Sequence, residues 1–76
     1  MALSKYERKE KLPYGAQAEI AEELDLSEAT VSMIQNDKLV GLTPETIAKV
    51  REAIAARIGL PVSEVFRPAH EISSVT

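Results

Sequence analysis

Apolar positions along the chain fall into short helical registers separated by sharp punctuation. Ile20, Ala21 and Leu24 have the spacing of one helix face, with Glu19, Glu22 and Glu23 turned to water between them. Leu26 follows at once, and Val31 and Ile34 lie three apart on a second face. Asp25 stands where the chain must enter the left-handed region to leave the first of these helices, a step that Asp tolerates after Gly. Ser27 is a good N-cap for a helix starting at Glu28. The pattern predicts helices over 16–24 and 28–36 joined by about three residues, which is a helix-turn-helix. Ala21 is small where the second helix must approach closely.

A second start signal follows. Thr43 as N-cap, Pro44 at the first helical position and Glu45 beside the positive helix end all favour initiation. Ile47, Val50, Ile54 and Ile58 then build one apolar stripe, and Lys49, Arg51, Glu52 and Arg57 are assigned to the other face. Gly59 ends this helix and Pro61 prevents its continuation. Residues 62–66 read as one further turn. Its Val65 and Phe66, with Ile72 and Val75 beyond, are candidates for an interface with a second copy of the chain. Before all this, Leu3 to Leu12 is charged and helix-permissive, and Pro13 stops any helix there. The expected fold class is all-α, a compact four- to five-helix bundle containing a helix-turn-helix. Its expected parts are a basic arm or short first helix over 1–15, the helix-turn-helix domain over 16–66 and a flexible tail over 67–76.

Composition narrows the function more than the fold. Seventy-six residues suffice for one small domain. No cysteine is present, so neither a disulfide nor a thiolate metal site is available, as suits a reducing cytosol. No apolar run approaches the roughly 18 residues of a membrane span, and the expected location is cytoplasmic, on the nucleoid if DNA is bound. His70 is the only histidine and sits in the tail; the glutamates read as solvated helix faces; Gly15, Gly41 and Gly59 are isolated and form no phosphate loop. An enzyme is not expected, nor a cofactor, a metal or a small-molecule ligand. The net charge of −3 argues against a polyanionic partner. It is unevenly spread, however: Lys5, Arg8, Lys9 and Lys11 crowd the first fifteen residues, whereas residues 16–37 hold no base.

Residues 17–38 resemble the lambdoid-phage repressor and Cro type of helix-turn-helix domain. Gln17 opening the helix, the Ile20-Ala21 pair, and Asn36, Asp37 and Lys38 at the end carry the likeness, and GLPVSEVF at 59–66 resembles that family's closing helix. The run SEATVSMIQN, with TPETIAKVREAI further on, is also similar to the DNA-binding headpiece of LacI-type repressors. Two Gly positions of the phage pattern are Asp25 and Asp37 here. The resemblance implies a lambda-repressor-like bundle that lays helix 28–36 in the major groove of double-stranded DNA. Ser27, Glu28, Ala29, Thr30 and Met33 would then face base edges, where Glu28 can accept from cytosine N4 and Ala29, Thr30 or Met33 can touch a thymine methyl. Gln17, Ser32, Asn36 and Lys38 would meet the backbone, with Lys5, Arg8, Lys9 and Lys11 as a basic reserve. The implied function is a repressor-type transcriptional regulator acting as a homodimer on a two-fold operator. The helix to be placed in the groove carries no Arg or Lys, which keeps open a protein-interaction module of antitoxin or antirepressor kind on the same fold.

Overall fold

Five α-helices make up the computed structural model, which describes residues 2–67. They are α1 (Lys5–Lys11), α2 (Ala16–Leu24), α3 (Glu28–Gln35), α4 (Pro44–Ile58) and α5 (Val62–Val65), with no strand among the described residues. The fold is therefore all-α. No helix in this range is long and apolar enough to cross a membrane.

Local chemistry accounts for most helix ends. Ser4 closes a capping box on α1: its hydroxyl accepts from the Glu7 amide at 3.2 Å, and the Glu7 carboxylate accepts from the Ser4 amide at 3.0 Å. The backbone bond from Ser4, then its side chain, holds the exposed Glu7 carboxyl below its ordinary range. Ser27 and Thr43 cap α3 and α4, accepting from the amides of Thr30 and Thr46 at 3.1 and 3.2 Å. The ends of α2 and α3 share one device. Asp25 (φ 57°) and Asp37 (φ 63°) take the left-handed conformation usually given to Gly. Leu26 and Lys38 then donate back to the carbonyls of Ala21 and Met33, each at 2.8 Å. Asp is thus sufficient at both positions where the resembled pattern has Gly.

Helix α2 packs on α3 and α4, α3 also on α4, and α5 on α4. Ile20, Val31, Ile34, Val50, Ile54 and Val65 meet at the centre and are wholly buried, with Ala21 and Phe66 beside them. Each such large side chain removed from water stabilises the fold by roughly 1.5–3 kcal/mol.

Arg8 of α1 is part of this interior at 1% exposure. Its Nε and Nη2 donate to the Gln35 carbonyl at 3.0 and 2.7 Å; its Nη1 donates to the carbonyls of Leu3 and Val65 at 2.9 and 3.1 Å. Nη2 also sits 2.9 Å from Asp37 Oδ1, a contact of charges rather than an aligned hydrogen bond. The guanidinium carbon lies 4.3 Å from the centre of the Phe66 ring. One side chain therefore joins α1, the end of α3 and α5. Gln35, also buried, returns the tie by donating its Nε2 to the Lys5 carbonyl at 3.1 Å.

Several sequence expectations change here. The start of the chain, left open above between a basic arm and a short first helix, forms a capped, packed helix. Arg8 is committed to the interior, so it cannot serve as a surface phosphate contact. Val65 and Phe66, offered above to a partner chain, are 0% and 2% exposed because they close this chain's own core. Arg51, assigned to the outer face of α4, is buried as well. Ile72 and Val75 lie outside the described residues.

Replacing Arg8 by Met leaves the buried carbonyls of Gln35 and Val65, the part-buried carbonyl of Leu3 and the Asp37 carboxylate without its charge and donors. The expected loss is about 3–5 kcal/mol in urea unfolding, against a total of roughly 4–11 kcal/mol for a chain of this length. Lys9→Met, one residue on and exposed, should stay within about 0.5 kcal/mol of the parent.

Candidate nucleic-acid interface

The site is built on two short helices whose inner faces leave little freedom. Ile20 and Ala21 of α2 and Val31 and Ile34 of α3 are locked in the core, so the opposite side of α3 is held rigidly outward. Ser27, Glu28 and Ala29 are exposed there, and Thr30, Ser32 and Met33 are half-buried. The residues expected to read bases thus share the outer side of one helix, with Glu28 and Ala29 foremost.

Their polar groups are not equally free. The hydroxyls of Ser27 and Thr30 bond to each other at 2.9 Å, and Ser27 also accepts from the Thr30 amide. Asn36 turns its Nδ2 inward, donating to the Ser32 carbonyl at 2.9 Å and more weakly to the Ser32 hydroxyl at 3.4 Å. A phosphate would therefore meet the Ser32 hydroxyl first, and Asn36 only after that local bond opens. The Glu28 side chain is exposed and has no hydrogen bond or ion pair to another described residue.

A recess of about 680 Å³ lies where the end of α1 meets the starts of α2 and α3. Lys9, Gln17 and Glu28 line it, so three candidate residues from three helices converge. Gly15, at φ 81°, begins α2 without any side-chain cap, which leaves the amides of the first turn without a side-chain acceptor. Uncapped amides at a helix start attract anions, and Lys9 adds a cation at the same place. Lys38 stands at the opposite end of α3 and is exposed, as is Lys11. Lys5 is half-buried with its ammonium 5.4 Å from the Tyr6 ring. The basic residues at the start of the chain are thus split: Lys9 at the recess, Lys11 free, Lys5 against its neighbour and Arg8 inside.

The acidic stretch is partly compensated by α4. Arg57 lies 3.6 Å from Glu19 and 3.1 Å from Glu23. These pairs are exposed and add little stability, but they turn two carboxylates of α2 towards a cation.

Two residues were missed. Tyr14 is fully exposed beside the recess, with a ring for stacking and a hydroxyl for a phosphate; an aromatic between Pro13 and Gly15, in a turn with no core to fill, was the available signal. Arg51 is the other. It falls four residues after Ile47 and three before Ile54, within the apolar stripe.

Compared with protein-family models, curated proteins and solved structures, the chain matches none. The functional reading therefore rests on the geometry of α2 and α3.

Because Ser27 both caps α3 and bonds Thr30, Ser27→Ala should cost about 1 kcal/mol in thermal or urea unfolding. Glu28→Gln loses no side-chain partner, only a carboxylate beside the positive start of α3, and should cost about 0.3–0.5 kcal/mol at moderate salt. That pair separates the structural part of the surface from the part free for a ligand.

Proposed function

We propose that the chain is a sequence-specific double-stranded DNA-binding regulator of repressor type, similar in design to the phage-repressor and Cro domains. The observation that carries the reading is the rigid, outward first turn of α3, with Glu28 and Ala29 free, set beside the Lys9–Gln17 recess at the start of α2. In this reading α3 enters the major groove. Glu28 accepts from a cytosine amino group, and Ala29, Thr30 and Met33 contact thymine methyls. Gln17, the amides at the start of α2, Lys9 and Ser32 hold one stretch of phosphates, and Lys38 holds another. A single copy offers few cations, so the regulator acts as a homodimer in the cytoplasm on a two-fold operator with half-sites about one helical turn apart.

The absence of Arg and Lys from α3 favours a second reading, in which the same face docks on a protein. DNA selection from a randomised duplex pool decides between them. The regulator reading expects an enriched two-fold site and fails if no duplex is retained at about 50 mM salt. On the enriched site, Lys9→Gln and Lys38→Gln should each lower the slope of log affinity against log salt by about 1. Glu28→Ala should leave that slope alone and relax the preference at one base pair by about 1–3 kcal/mol.

A further inference from the structure

Leu39, Leu42, Pro44, Ile47, Ala48 and Val62 help to wall a recess of about 520 Å³ where the α3–α4 connection, the first part of α4 and α5 meet. Beside it stands Val40. The Leu42 amide donates to the Leu39 carbonyl at 3.2 Å, and of the two residues between them only Gly41 has positive φ, at 82°. Residues 39–42 are therefore a β-turn of type II with Val40 at its apex. Val40 is 92% exposed and adds nothing to this chain's core. A single exposed valine is ordinary. One held at the tip of a hydrogen-bonded turn, next to an open apolar recess, makes a projection and a hollow on the same face.

Such a face can be complementary to itself. A two-fold axis sets the same patch of both copies together, so the projection of each copy meets the hollow of the other. Charge permits this approach. The exposed charges of the connection and of the α4 stretch along the recess are Lys38, Glu45, Lys49 and Glu52, which sum to zero. Glu45 and Lys49 pair with each other at 3.2 Å. Lys38 lies two residues before Val40, Glu52 lines the recess, and neither has an ion-pair partner among the described residues. The arrangement that seats Val40 thus brings the positive end of each face towards the negative end of the other. This attraction acts over a distance and leaves Lys38 available to phosphate. The outer side of α2, by contrast, sets Glu19, Glu22 and Glu23 against Arg57 alone, and two copies would repel there.

We propose that a second copy of this chain docks on this face, with Val40 of each copy in the recess of the other. The proposal names the surface of the homodimer, now that Val65 and Phe66 are committed to the core, and it rests on the regulator reading for the expectation of a second copy. The docking itself involves no DNA. A contact this small makes a weak dimer, which two adjacent half-sites would strengthen by holding both copies together.

Sedimentation equilibrium and amide NMR of the full chain over a range of concentrations, without DNA, test it. Half-association is expected between about 0.05 and 1 mM, with concentration-dependent shifts centred on residues 38–52 and Val62. Val40→Asp puts a charge on the projection and should weaken association at least about tenfold with the unfolding midpoint unchanged. Ala48→Lys puts a long charged side chain on the exposed wall of the recess and should do the same from the other side. A monomer at about 1 mM, association unaltered by either variant, or shifts centred elsewhere would overturn the proposal. Nuclear Overhauser contacts from Ile72 or Val75 to Leu42 or Val62 that persist at low concentration would give the recess to the chain's own end, and would also overturn it. The two readings fail separately. A dimer on this face with no duplex selected sinks the regulator alone, and an enriched two-fold site with a monomer at about 1 mM sinks this interface alone.

Discussion

The buried Arg8 guanidinium is the interaction on which the rest of this small bundle depends. An apolar residue could fill the same volume, but it could not satisfy the carbonyls of Leu3, Gln35 and Val65, which three separate segments bring to one point. Helix α1, KYERKEK, brings no buried apolar side chain to the core formed by α2, α3, α4 and the α5 end, and the residue it buries is Arg8. Arg8 compensates with donors where methyl groups are lacking. It fixes the end of α3, through the Gln35 carbonyl and Asp37, against the start of the chain and the Phe66 ring.

That solution has an electrostatic consequence. Arg8 is spent on the interior, Arg51 is buried and Arg57 faces the glutamates of α2. Of the basic residues expected to meet phosphate, the exposed ones are Lys9, Lys11 and Lys38. A groove-reading role for this face would therefore rely on shape, methyl contacts and a second copy of the chain more than on charge. The same accounting leaves Arg51 buried, two of its nitrogens without a hydrogen-bond partner among the described residues, with the Asp37 charge acting on it.

Most of the fold was legible because its signals are local. Ser27, Thr43-Pro44 and Gly59 mark helix ends within a turn of the residues they cap, and the stripe from Ile47 to Ile58 is a single-helix property. Asp25 and Asp37 could be recognised as left-handed exits only where the surrounding register was already fixed, and Asp25 was. Arg8 was not legible. Its acceptors lie 27 and 57 residues away in sequence, and a rule that turns charges outward places it on the surface. Val65 and Phe66 were misplaced for the same reason, since the guanidiniums that line their pocket were not credited to the core. Arg51 could have been found, because its position within the stripe was visible; the charge overrode the spacing. The outer side of α3 followed from the register of Val31 and Ile34, whereas the convergence of Lys9 with Gln17 and Glu28 needed the path of α1.

One measurement reaches the centre of this account: an amide and arginine side-chain NMR titration of the intact chain with the duplex most enriched from a randomised pool. The account predicts that the amides of residues 27–33 and the Gln17 side chain move together while the Arg8 Nε–H signal keeps its position, held by the Gln35 carbonyl. Movement of the Arg8 signal with DNA, or shifts that avoid the first turn of α3, would contradict it.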